Sequence, residues 1–330
     1  MKKLLLLMAL AVGNTAWGQF APQAGLPGST AIPAASSSFV AWANACTVYR
    51  GYIDIANPGA GVTTQGDESV VVGVPDGSLL SLGDSGVIVL TFPGTIYNGP
   101  GPDFAVFENG FKNPSNDAMA FLELAFAEVS SDGVNYFRFP ATCNVPATTQ
   151  IPGSGVYTDA SLINNLAGKY IAGYGTPFDL EELKGTPGLD VDNITHVRLV
   201  DVVGSVSGHS SLDHEGRVIN DPYPTNFPTG GFDLDAVGAI NIHTTGVPDV
   251  GMSAVRIFPN PASDRISFSL PAHTIQQHVS IIAATGVVVS RFDVAGDTGS
   301  ADIAHLPAGV YSLCITDDNG SRCMGRFVKY

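Results

Sequence analysis

The sequence predicts an all-β protein: a jelly-roll β-sandwich followed by a smaller immunoglobulin-like β-sandwich. Three observations carry that prediction. Charged residues make up only 14% of the 330 residues while Gly (38) and Pro (22) are abundant, a balance that suits short strands and turns rather than amphipathic helices. From Phe39 to about Thr244, short apolar runs alternate with Gly, Pro, Asn and Asp clusters. Near residue 245 the texture changes, and period-two alternation resumes in a shorter C-terminal stretch.

Residues 1–18, MKKLLLLMALAVGNTAWG, join two lysines, an unbroken apolar run and a small-x-small end. That is the pattern of a secretory signal peptide, with cleavage expected before Gln19. Its apolar core is too short to cross a bilayer, and no later segment reaches the ~20 apolar residues a helical span needs. Residues 19–38 are small, polar and Pro-bearing, which reads as an extended leader. The cargo domain, 39–244, has its clearest strands at Ser69–Val72, Gly86–Phe92, Phe104–Glu108, Phe121–Ser130, Tyr136–Phe139, His196–Val203 and Phe232–Ile242. Two short helices are expected, one in DASLINNLAGKY capped by Asp159 or Ser161, the other in PFDLEELKG ending at Lys184 and Gly185. Residues 245–254 form a linker, and 255–330 a second module with strands in RISFSL, VSIIAATGVVVSRF and GVYSLCITD.

The net charge of −15 argues against a nucleic-acid partner, which requires a basic surface. Export permits disulfides. In YSLCITDDNGSRCMGRF a turn at Asp317–Gly320 would set Cys314 opposite Cys323, close enough for a cross-strand bridge. Cys46 and Cys143 are then left by elimination, either paired or as two free thiols.

The C-terminal module, through FPNPASD (258–264), LPAGVYSL (306–313) and the ending RFVKY, resembles the sorting domain of the type IX secretion system of Bacteroidetes-type bacteria. The resemblance implies a β-sandwich tail, the secretion machinery as partner, and passage through the periplasm to the outer-membrane exterior. The central domain resembles a group of exported bacterial cell-surface proteins. Its phrase VSSDGVNYFRF is similar to the strand-turn-strand of discoidin-like and galactose-binding-like jelly rolls. That likeness implies a fold, and a structural calcium where a loop meets the terminal strands, more than a chemistry.

The candidate metal ligands are Asp103, Glu108, Asp233 and Asp235. The first two bracket the run Phe104–Phe107. The other two are expected on one face of the strand in GGFDLDAVGAI, with Phe232, Leu234 and Ala236 on the core face. Hard carboxylate oxygens suit Ca²⁺. The bland alternative places Asp233 in solvent or on loop amides and pairs Asp235 with Arg198. Asp179 either caps a helix or joins the site. The long segment 204–231, GSVSGHSSLDHEGRVINDPYPTNFPTGG, carries His209, His214, Tyr223 and Phe227, which either meet an extracellular ligand such as a glycan or pin the loop.

Catalytic patterns are weak. GDSG at 83–86 matches a protease nucleophile phrase, but the first histidine is His196, far downstream, so it reads as a tight turn entering a strand. LDVDNITH lacks the glycine and closing glutamate of a calcium loop and reads as a turn. Glu108, Glu123, Glu128, Asp233 and Asp235 supply a glycosidase pair only in number. The expectation is a non-catalytic surface module, calcium-stabilised, binding a glycan or another extracellular ligand. A purely structural or adhesive protein and a glycoside hydrolase are the alternatives.

Overall fold

A computed structural model of the protein describes residues 20–244, 253–255, 257–269, 277–285, 287–294, 296, 298–317 and 322–330. The signal peptide, 1–18, and residues 245–252 of the linker lie outside the described residues. The chain divides into two compact units, Met1–Thr245 and Gly246–Tyr330.

The larger unit is a sandwich of two main sheets. One runs in the order Ile32–Pro33, Tyr174–Phe178, Phe104–Glu108, Asp233–Ala239, Ala41–Trp42, with Leu80–Ser81 also paired to Asp233–Ala239. The other runs Phe137–Arg138, Ala125–Ser130, Ile194–Asp201, Val87–Ile96, Ile242–Thr244, with Ala45–Tyr49 added on Val87–Ile96 and Leu166–Ala167 on Ala125–Ser130. Alternate residues of each sheet point inward. Ile88, Leu90, Val129, Val197 and Leu199 meet Phe104, Val106, Leu234 and Val237 in one buried core. Phe104 stacks on Phe178 at 5.2 Å between ring centres, and Phe139 packs against both.

Several expected elements change. Ser69–Val72 is not a strand: Glu68–Val71 is a 3-10 turn whose N-cap, Asp67, accepts from the Ser69 amide. The β-branched run misleads because Asp67 offers the backbone a local alternative. DASLINNLAGKY makes only the 3-10 turn Ala160–Leu162, capped by Asp159, before breaking into short strands. Asp179 caps the 3-10 turn Leu180–Leu183. The expected strand Phe121–Ser130 is broken at 122–124 between Asn116–Phe121 and Ala125–Ser130, which takes Glu123 out of the ladder. The leader is built into the sandwich. Ile32–Pro33 is an edge strand on Tyr174–Gly175, and Phe39 and Trp42 cover Phe107 on the outer face of the first sheet.

A second correction concerns GGFDLDAVGAI. The register of Asp233–Ala239 against Phe104–Glu108 slips between Leu234 and Ala236. One extra residue in a bulge inverts the faces that follow it. Leu234, Val237 and Ala239 therefore face the main core, while Ala236 turns out to join Ala105, Phe107 and Trp42. Asp233 and Asp235 consequently take separate partners.

The C-terminal unit has a five-stranded sheet, ordered Ser253–Ala254, Arg322–Lys329, Gly309–Asp317, Gln277–Ala283, Val288–Val294, and a three-stranded sheet of Ile257–Phe258, Arg265–Ser269 and Thr298–Asp302. Ile266, Phe268, Ile281, Leu313 and Phe327 form its core. Register pairs Cys314 with Met324 and Ile315 with Cys323. That register is one residue off the expected pairing of Cys314 with Cys323, and Cys314 is a free thiol. Cys46, on an edge strand, and Cys143, in a secondary core, are also free.

Replacing Phe104 by Ala removes the ring at the centre of the aromatic trio. The expected cost is about 3–5 kcal/mol, read as a lowered urea midpoint of the full chain followed by Trp42 fluorescence.

Candidate functional site

Ten carboxylate side chains are buried among the described residues: Asp84, Asp103, Glu108, Glu123, Glu128, Asp201, Asp213, Asp221, Asp233 and Asp235. A carboxylate removed from water requires donors, a counter-charge or a proton. Four of the ten are fully accounted for. Asp103 accepts from the amides of Gly99 (2.8 Å) and Leu180 (2.7 Å) and from Asn241 Nδ2 (2.8 Å), tying three segments together. Asp235 accepts from the amides of Asp76 (3.1 Å) and Gly77 (3.3 Å). Glu128 lies between Arg138 and Arg198. Asp213 holds Arg217, with Nη2 to Oδ2 at 2.7 Å.

The other six form a chain of neighbours at one rim. Asp84 acts on Asp201. Asp201 acts on Asp221 and Glu123, and Asp233 acts on Glu108 and Glu123. Asp201 sits at the end of Ile194–Asp201, Asp221 within the segment 204–231, and Asp233 just beyond it. Glu123 and Glu108 approach from the other side. Glu108 is 1% exposed; its Oε2 accepts from the Gly110 amide at 2.7 Å, but its buried Oε1 has no hydrogen-bond partner. Asp233 accepts from Ser81 Oγ and from Asn109 Nδ2. Asp221 accepts from the Leu124 amide at 3.1 Å. Burial pushes Glu108, Glu123 and Asp221 well above the usual carboxylate range, and neighbouring carboxylates add to the rise. Asp201 is pushed up to about 8 and Asp84 to about 6, again chiefly by burial.

Of the four expected metal ligands, the structure brings only Glu108 and Asp233 together. Asp103 lies at the far end of the Phe104–Glu108 strand, roughly 16 Å from Glu108 for five extended steps, and Asp235 serves as a loop clamp. Arg198 pairs with Glu128, not with Asp235. Glu123 and Asp221 complete the group. The expected strand hid the first, and a loop among many Asp-bearing turns hid the second. Among the described residues no three His, Cys, Asp or Glu side chains already stand in a metal-holding arrangement, so enclosing an ion requires side-chain rotation.

The four expected ligand-binding residues separate. Tyr223 Oη donates to Asp54 Oδ1 at 3.4 Å, and the His209 charge bears on Asp84, which places both near the Asp54–Asp84 corner. Phe227 is 40% exposed on the turn that closes at Gly230. His214 is held on the Ala141 carbonyl at 2.8 Å and lines a cleft of about 330 Å³ with Arg138, Phe126 and Leu212. GDSG is a tight turn, the Gly86 amide bonding the Gly83 carbonyl, with Ser85 at a φ of 61° held by its amide on Asp201.

Residues 256–329 match the secretion system C-terminal sorting domain. The C-terminal unit is a type IX sorting domain. Its motif residues hold the sorting domain together. Asn260 donates to the Arg326 carbonyl (2.9 Å) and accepts from the Val328 amide (3.0 Å), while Tyr311 Oη donates to the Pro307 carbonyl (2.8 Å). The sorting domain marks this protein for delivery to the cell surface. No helix of the described residues is long and apolar enough to cross a membrane.

No curated protein matches the chain. Among solved structures, a DUF3244 family protein with an immunoglobulin-like β-sandwich fold from Bacteroides vulgatus is 22% identical over 24% of this chain and 86% of its own, at a TM-score of 0.21. The BSP domain of a biofilm associated protein is 14% identical over 89% of this chain and 52% of its own, at 0.22. A β-glucuronidase from Ruminococcus gnavus is 12% identical over 74% of this chain and 35% of its own, at 0.20.

A buried acid whose folded pKa is raised binds protons that the unfolded chain releases, so stability falls as pH rises between the two values. Asp84 faces Asp54, His209 and the Ile55 amide; Asp201 faces Asp84, Asp233 and the amides of Ser85 and Phe232. In chelator, the urea midpoint is expected to be highest near pH 4 and to fall through about 6 and about 8. Asp201→Asn should flatten the upper part of that fall.

Proposed function

We propose that this chain is a surface-displayed, non-catalytic β-sandwich module, stabilised by calcium and binding an extracellular glycan. The sorting domain delivers it. The observation that carries the cation half is the set Glu108, Glu123, Asp221 and Asp233. Those four are buried, the charge acting most strongly on Glu108 and Glu123 is Asp233 and that on Asp221 is Asp201, and Glu108 Oε1 has no partner. Four carboxyl groups, ionised as an ion displaces their protons, match the preference of Ca²⁺ for 6–8 oxygen ligands. A bound cation supplies the counter-charge that the fold leaves out. Glu108 and Asp233 belong to neighbouring strands and Asp221 to the long segment, so the ion would fasten that segment to the sheet. The glycan half draws on the delivery route and on the cleft at His214 and Arg138.

A calcium titration of the mature chain should raise its melting temperature, and Glu123→Gln with Asp221→Asn should abolish the rise. At a calcium concentration 100 times the Kd the stabilisation is about 2.7 kcal/mol. A melt indifferent to both calcium and chelator would refute the cation. Deleting residues 255–330 should leave the cargo in the periplasm, read by cell fractionation.

A further inference from the structure

The outer face of the second sheet carries a feature that the acidic rim does not explain. Thr47, Val89, Arg198, Glu128 and Arg138 lie in one register row across five strands. Glu128 takes Arg138 Nε on Oε1 at 2.8 Å and Arg198 Nε on Oε2. Within the row one carboxylate stands against two guanidiniums, on a chain of net charge −15; Asp132 acts on Tyr136 beside it, and Asp213 in the adjoining cleft is paired with Arg217. Each guanidinium carbon sits over a ring, Arg138 at 3.8 Å from the Phe126 centre and Arg198 at 3.9 Å from the Tyr136 centre. Arg138 spends Nε and Nη2 on Glu128 and Arg198 spends Nε, which leaves Arg138 Nη1 and the Arg198 Nη groups to meet a second carboxylate. Tyr49, 63% exposed, stands near enough to bear on Tyr136 and adds an open aromatic face. At the Arg138 end the strip runs into the 330 Å³ cleft walled by Phe126, Phe139 and His214.

We infer that this strip, from Tyr49 across Arg198 to Arg138 and His214, binds a uronate-bearing glycan. The strands of Arg198 and Arg138 flank that of Glu128, and both guanidiniums converge on its one carboxylate, one on each oxygen, so the two forks stand side by side within the reach of one or two sugar rings. Flat aromatic faces accept sugar rings, and the arginine forks take their carboxylates. The net charge of −15 repels any polyanion at long range, so recognition of a uronate rests on the short-range arginine and ring contacts, and nucleic acid lacks the basic surface it requires here. The inference rests on the glycan half of the proposed function and is independent of its cation half.

Affinity electrophoresis of the mature full chain in gels cast with polygalacturonate tests it, with dextran as the neutral control and heparin as the sulfated one. Retardation is expected in polygalacturonate alone. Tyr49→Ala and Arg138→Gln should each weaken it at least tenfold, and Arg138→Lys, which keeps the charge but not the fork, should weaken it less than Arg138→Gln. Tyr49 is exposed, so its loss leaves the core intact, and a melt of each variant confirms the fold. No retardation in polygalacturonate, equal retardation in dextran, stronger retardation in heparin, or retardation unchanged in both variants would each overturn the strip. Melts of the same samples with and without calcium test the cation separately, so either idea can fail alone.

Discussion

A carboxylate withdrawn from water must find a donor, a counter-charge or a proton, and this sandwich withdraws ten of them. Four settle the requirement locally. The amides around Asp103 and Asp235, Arg198 at Glu128 and the Cys143 amide at Asp213 make those acids cross-links between segments distant in sequence. The other six share one rim, and much of the loop architecture there follows from them. Asp201 draws the Ser85 amide to one oxygen and the Phe232 amide to the other, setting the turn before Val87–Ile96 against the strand after the long segment. Gly231 sits where this closure is tightest, at a φ of +74°. A Cβ there would stand 2.7 Å from Asp201 Oδ1.

The segment 204–231 is therefore a tied loop. Gln150 Nε2 holds the carbonyls of Gly204 and Asp221, and Asn220 Nδ2 holds those of Pro146 and Thr149. Acids before, within and after the segment face one cluster. Mutual repulsion of those charges works against the hydrogen bonds that close it, and protons or a cation relieve the repulsion. The same contacts that shape the loop thus make its shape sensitive to what occupies the cluster.

Legibility in the sequence followed the range of the interaction. Phe104–Glu108 was legible to the residue because a short apolar run between glycines is a local signal, and the sorting tail was legible because its motif residues, Asn260 and Tyr311, lie in contiguous phrases of the sequence. Asp179 as a cap was visible for the same reason. The bulge at Leu234–Ala236 was not visible. It is a property of the register with Phe104–Glu108, and period two continues through it in the sequence. Half of the candidate site was readable, Glu108 and Asp233, whereas Glu123 and Asp221 depend on a broken strand and a loop closure over about 100 residues. Asp103 and Asp235 stand apart from that pair on backbone amides, and an acid held by amides looks, in sequence, like an acid awaiting a metal.

The two regions of interest are joined by one element. Ile194–Asp201 carries Arg198 on its outer face and ends at Asp201 on the acidic rim, about 10 Å away along the strand. Its register to Val87–Ile96 and to Ala125–Ser130 is continuous over residues 196–200, so the strand is fixed on both sides by ladder hydrogen bonds. A central strand paired in this way transmits little sliding. An occupant of the rim would therefore act on the order of the 204–231 segment, including His214 at the margin of the cleft, and leave the Arg198–Glu128–Arg138 row in place. That division leaves the strip to the laddered part of the fold and the cleft wall to the part that an occupant of the rim would reach.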